Sequence, residues 1–144
     1  MMHPLKISIV QTDIAWENKQ ENLRMLREKL HALRGTTEIV VLPEMFSTGF
    51  TMKSRELAEP VSGITVRILK ELAADFQLAL CGSFICSERS NYYNRAFFIT
   101  PEGEEFYYDK RHLFRMGNEA EYFSSGNNKL IISYRGWNIC CLLY

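Results

Sequence analysis

The chain predicts an α/β fold built on a layered sheet, and three features of the sequence carry that expectation. Its opening runs through a strand pattern, a helical stripe and a continuous apolar run, the marks of a βαβ unit. A second helical stripe follows, and after it come β-branched and aromatic runs separated by turn residues. Hydrophobic residues make up 47% of the 144, ample for a buried core and too many for a disordered segment. The order β-α-β-α-β-β-β-β-β fits helices layered on a sheet rather than a bundle or a β-sandwich.

Residues 6–11 (KISIVQ) alternate and form the first strand. Asn18 with Glu21 resembles a capping box, and Leu23, Leu26, Leu30 and Leu33 then recur at helical spacing. Gly35 supplies the stop that a helix C-terminus favours. Residues 39–42 (IVVL) are the second strand, apolar enough to be covered on both faces. A loop rich in Ser, Thr, Gly and Met occupies residues 45–60. The second helix covers 65–76, with Ile68, Leu69, Leu72 and Phe76 inward. Strands follow at 78–86, where Gly82 marks a close backbone approach, and at 92–100 after a polar turn. Pro101-Glu102-Gly103 turns the chain into a fifth strand at 106–110. Residues 111–129 read as loop with a helical turn near Asn118; strands at 130–134 and 137–144 flank Arg135-Gly136. The final WNICCLLY is apolar enough to belong in the middle of a sheet, dependent on a neighbour not in the text.

Seventeen basic residues balance 17 acidic ones, so the chain has no broad field to attract nucleic acid or an anionic membrane. A small molecule or another protein is the expected partner. No apolar run approaches the ~20 residues of a membrane helix, and MMHPLKISIVQTDIAW lacks the pattern of a secretory leader. A cytoplasmic location is expected. The four cysteines, Cys81, Cys86, Cys140 and Cys141, have neither zinc-site nor CxxC spacing and read as buried free thiols.

Three polar segments interrupt apolar strand ends. In LPEMF, Glu44 follows a buried strand at the place where ligands gather in open α/β sheets, which suits a partly desolvated general base. An exposed loop acid or the partner of a nearby arginine is the plainer alternative. In YYDKRHLF, Lys110 leaves an aromatic strand where its ammonium suits a developing oxyanion, against the plainer reading of a surface charge cluster. His112 reads as locally packed rather than catalytic. In GNEAEYF, Glu119 and Glu121 line a pocket mouth or simply solvate a loop.

Taken together and in this order, LPEMF with STGF, NYYNRA before the Pro-Glu-Gly turn, YDKRHLF, the opening Gln11-Thr12-Asp13 and RGWNIC resemble the nitrilase (carbon–nitrogen hydrolase) superfamily. The wording from Phe46 to Phe50 and at Arg115-Met116 is most similar to its omega-amidase branch, which deamidates ω-amides of 2-oxo dicarboxylic acids. The resemblance implies a four-layer αββα sandwich, of which residues 1–144 form the N-terminal half, an incomplete domain. It also implies a Glu–Lys–Cys triad: Glu44 takes the thiol proton, Lys110 stabilises the oxyanion, and Glu119 matches a second glutamate that positions substrate and catalytic groups. A thiolate attacks the amide, ammonia leaves and water releases the thioester. The substrate is a small-molecule amide, no metal or organic cofactor is implied, and a homo-oligomer is.

One position departs from the family's pattern. The nucleophile is expected near 144, followed by Tyr-Asp, where this chain has Tyr144. Cys141 lacks the Tyr-Asp and lies out of register by an odd number of positions, which turns it to the opposite face of a strand and makes it a poor substitute. The chain alone is therefore expected to be inactive and, as half a sandwich, poorly stable. The alternative is a non-catalytic relative that docks on a full-length homologue or binds a small ligand.

Overall fold

The computed structural model describes residues 3–144. The first two residues of the stretch read as lacking a leader lie outside the described residues. Five strands form a mixed sheet in the order β1 (Ile7–Ile9), β2 (Ile39–Val41), β3 (Ala79–Glu88), β4 (Asn91–Ile99) and β5 (Glu105–Asp109). β1, β2 and β3 run parallel, while β4 and β5 fold back antiparallel. Helix α1 (Lys19–Leu33) makes the first crossover; a one-turn helix α2 (Ser54–Leu57) and then α3 (Ile64–Phe76) make the second. The α/β architecture is thus the expected one.

Asn18 caps α1 by accepting the Glu21 amide at 3.1 Å, which satisfies one of the orphan donors of the first turn. The reciprocal arm of the capping box is not made. The Asn18 amide donates instead to the Ala15 carbonyl at 3.2 Å, and the Glu21 carboxylate accepts from Arg24 at 2.8 and 2.7 Å. Leu23, Leu26 and Leu30 of α1 and Leu69, Leu72 and Phe76 of α3 bury against one face of the sheet, on Val40, Leu42, Leu80, Phe97 and Ile99. Ile68, expected inward, is only partly buried at the margin of that core. Each fully buried side chain contributes about 1.5–3 kcal/mol of transfer free energy. Gly82 lies where a Cβ would come within 3.0 Å of both Leu42 and the Phe97 ring, so the close approach needs glycine.

The opposite face carries Ile39, Ala79 and Phe98, with Val41, Cys81 and Phe106 beside them. A hairpin of β6 (Ile131–Tyr134) and β7 (Trp137–Cys140) lies across it, contributing Ile132 and Tyr134. Here the structure corrects the expected last strand. β7 ends at Cys140, is largely exposed, and pairs only with β6. The reason is the register: Tyr134 faces Trp137 and Ile131 faces Cys140, so β6 offers no partner further along. Cys141 then turns inward onto the sheet. The hairpin leaves the apolar side of edge strand β1 open, with Ile7 54% and Ile9 79% exposed. Between β5 and β6, a 3-10 turn (Arg115–Gly117) leads into the single turn α4 (Glu119–Tyr122), at the expected place.

Among the described residues, no helix is long and apolar enough to cross a membrane.

Candidate active site

The chain leaves β2 through Leu42 and Pro43 and turns sharply at Met45, a fully buried residue held at φ +48. A non-glycine residue in this region is strained and persists only when its surroundings hold it. Here Ser83 of β3 accepts the Met45 amide at 2.8 Å, and the Met45 carbonyl accepts the amides of Thr48 and Gly49. The turn projects Glu44 over the end of the sheet.

Lys110 follows β5 directly, its amide bonded to the Asn94 carbonyl of β4 at 2.9 Å. Its side chain is 1% exposed. The ammonium donates to Glu44 Oε1 at 2.8 Å and lies 3.1 Å from Glu119 Oε2, with the Phe50 ring centroid 5.2 Å away. Glu119 opens α4, fully buried, and its loop is closed reciprocally. The Glu119 amide donates to the Phe114 carbonyl at 3.2 Å, while the Phe114 amide donates to Glu119 Oε2 at 2.6 Å. Burial by itself would drive the Lys110 ammonium toward deprotonation, but its bonds to Glu44 and Glu119 outweigh that and hold its pKa above the usual lysine value. Of the two glutamates around the ammonium, Glu44, 30% exposed, is the one that faces solvent.

Glu44, Lys110 and Glu119, read from three separate segments, therefore form one cluster. Asn94 completes it, although it was singled out only as part of a motif. Its Nδ2 donates to Glu44 Oε1 at 2.6 Å and to Glu119 Oε1 at 3.3 Å, which fixes the orientation of the amide. Its Oδ1, buried, finds no hydrogen-bond partner among the described residues. The signal was available: Asn94 is a polar residue in register with inward Ala96 and Phe98. Phe50 and Ser83 had no such signal, since their roles depend on the path of the loop after β2.

Beside Glu44 lies a largely apolar cavity of about 270 Å³, lined also by Ser83, Ala96, Phe98, Cys81 and Cys141. The cysteines do not match the reading of four buried thiols. Cys86 is buried, and burial pushes its thiol up to about 11, but Cys140 is exposed on the open side of β7. Cys81 and Cys141, far apart in sequence, meet at a sulfur–sulfur distance of 3.5 Å. His112 is exposed, its ring 6.3 Å from that of Tyr144, and takes no part in the cluster. Glu121 is likewise exposed. No group of three or more His, Cys, Asp or Glu side chains that would hold a metal ion is present among the described residues.

Fold and cluster together define an α/β protein with a buried carboxylate–lysine cluster at one end of its sheet. The carbon–nitrogen hydrolase family profile matches residues 6–141, and the chain belongs to that family. It is 33% identical over 142 residues to the omega-amidase YafV of Escherichia coli (strain K12), a match covering 99% of this chain and 55% of the relative. It is 27% identical over 141 residues to an (R)-stereoselective amidase of Pseudomonas sp, covering 96% of this chain and 51% of that one. Among solved structures, a CN-hydrolase superfamily protein from Xanthomonas campestris with an arsenic adduct in its active site superposes with a TM-score of 0.93. The two are 37% identical, over 96% of this chain and 52% of that one. The chain spans about half the length of the curated relatives it matches.

Proposed function

We propose that this chain carries the acid–base part of an amidase site that hydrolyses a small ω-amide, such as 2-oxoglutaramate, to the acid and ammonia. The single observation behind the reading is the Glu44–Lys110–Glu119 cluster, with Glu44 alone turned to solvent beside an apolar cavity. In this reading Glu44 takes the proton of a thiol nucleophile and later delivers it to the departing ammonia. Lys110 supplies positive charge to the oxyanion of the tetrahedral intermediate. Glu119 holds Lys110 in place. In this reading the thiol comes from outside these residues, and Cys141, out of register with the family's pattern, lies buried against Cys81. The omega-amidase relatives, at 33% identity, favour an ω-amide over the other amides of the family.

The test is a chimera in which these residues are followed by the remaining length of the E. coli relative. It should release ammonia from 2-oxoglutaramate, and Glu44→Gln should lower kcat by about 10²–10⁴-fold, the usual contribution of a positioned base. The chain alone should release none. Cysteine-dependent ammonia release by the chain alone, or a chimera indifferent to Glu44→Gln, would overturn the reading.

A further inference from the structure

We propose that Cys81 and Cys141 form a redox-responsive thiol pair that closes to an internal disulfide when the folded chain meets a hydroperoxide. The pairing is a product of the fold. Cys81 sits mid-sheet on β3, paired in register with Val41 and Phe98, and its side chain points to the face covered by the β6–β7 hairpin. Cys141 lies one residue beyond the last hairpin pair and turns back onto the same face. The sulfurs are 3.5 Å apart, so a bond of ~2.05 Å requires them to approach by about 1.5 Å. Cys81 is held by ladders on both sides, whereas Cys141 lies outside any ladder, so residue 141 makes the movement.

The other thiols are excluded by position. Cys86 is an odd number of residues from Cys81 on the same strand and packs into the core on the helix side. Cys140 is exposed on β7, cross-strand from the exposed Ile131, and it is Cys141 whose sulfur meets that of Cys81.

The chemistry balances with the hydroperoxide as the only oxidant. Hydrogen bonding from Cys81 favours the thiolate at Cys141 against the opposing effect of burial, and the same bond, with burial, pushes the Cys81 thiol up. The Cys141 sulfur attacks the outer peroxide oxygen; an S–O bond forms, the O–O bond breaks, and the alcohol or water departs with a proton. Cys81 then attacks the Cys141 sulfur, displacing hydroxide, which leaves as water with the Cys81 proton. Two thiols are oxidised and one peroxide is reduced. The product ties residue 141 to β3 across the wall of the cavity beside Glu44. None of this depends on amide hydrolysis.

The experiment treats the folded chain with hydrogen peroxide, alkylates free thiols and maps peptides without reduction. The expected product is a Cys81–Cys141 cross-linked peptide, lighter by two hydrogens and released by dithiothreitol. Cys140→Ser should leave it unchanged, and in urea the specific pairing should be lost. In Cys81→Ser, a sulfenic-acid reagent such as dimedone should instead label Cys141. The proposal is overturned if Cys81 and Cys141 both alkylate freely at a peroxide dose that oxidises Cys140. It is equally overturned if the bonds formed join Cys140 between chains, or if pairing in urea matches pairing in the folded chain. The mapping of the unsubstituted chain decides the matter even if Cys81→Ser fails to fold.

Discussion

Lys110→Met isolates the energetics of the buried cluster. The ammonium it removes is 1% exposed and lies within 3.1 Å of oxygens from both Glu44 and Glu119, the second of which is wholly buried. Without it, Glu119 keeps only the Phe114 amide at 2.6 Å and a long bond from Asn94 at 3.3 Å. Breaking a buried pair from one side costs about 3–5 kcal/mol, because the remaining charge stays desolvated. With a urea m-value of about 2 kcal/mol/M, the unfolding midpoint should fall by roughly 2 M. Glu44, 30% exposed, is screened by water, so Glu44→Gln should cost no more than about 1 kcal/mol. The double variant Lys110→Met/Glu119→Gln removes the stranded charge along with its partner. It should be less destabilised than the sum of the single variants, with a coupling of about 1–3 kcal/mol. Equilibrium urea unfolding followed by circular dichroism measures all four. A Lys110→Met midpoint within about 0.3 M of the parent, or strict additivity, would refute the claim that the ion pairs rather than apolar packing hold this lysine.

Two further outcomes are expected. Gly126→Ala places a Cβ 2.2 Å from the Asp109 carbonyl oxygen, against backbone that cannot swing away, and breaks the clamp in which the Gly126 amide holds the Lys110 carbonyl at 3.0 Å. A loss of about 1–3 kcal/mol should appear in the same urea experiment, with Ser125→Ala as the milder neighbour. The second concerns pH. Burial raises the Glu59 pKa, but hydrogen bonds from Thr65 and the Lys19 pair outweigh it and leave the folded value lowered. A lowered folded pKa gives stability that is present above the unfolded value of about 4.3 and lost as pH falls through the folded one. Lys110, raised, acts in the other direction: its contribution is full below about 10.4 and fades as pH rises through the folded value. Melting temperature against pH should therefore fall at both ends, and Glu59→Gln should flatten the acid limb alone.

Much of the fold was legible because its signals are local. The leucine stripe of α1, the apolar run of β2 and the Pro-Glu-Gly turn each depend on neighbouring residues, and the structure follows them to within a residue or two. The family resemblance drew Glu44, Lys110 and Glu119 out of three segments that are individually unremarkable. Beyond the site roles of Phe50 and Ser83, two further features were not legible. The end of β7 depends on the length of its partner β6, a pairing property that no count of apolar residues in WNICCLLY contains. The meeting of Cys81 and Cys141 depends on the hairpin crossing the sheet, a contact across 60 positions of chain. Spacing rules for cysteines see only short intervals, so they passed over it.

The geometry also divides labour within the proposed site. An ammonium has three N–H donors; Lys110 donates to Glu44 at 2.8 Å and lies at ion-pair distance, 3.1 Å, from Glu119. In the proposed reaction a donor not engaged by the carboxylates would serve the oxyanion, and the Phe50 ring centroid lies 5.2 Å from the nitrogen. A ring face gives a cation about 0.5–2 kcal/mol, less than a charged oxygen, so a tetrahedral intermediate would win that donor without breaking either carboxylate bond. An arginine keeps the charge but not this arrangement. Its planar fork needs room for two nitrogens where the site admits one, and a fork engaged with both glutamates aims its remaining donors away from the oxyanion. In the chimera, Lys110→Arg should therefore lose about as much kcat as Lys110→Met, even though it preserves more of the folding stability. If Lys110→Arg instead retained most of the rate, charge alone would suffice, and the three-way geometry of this lysine would have no part in catalysis.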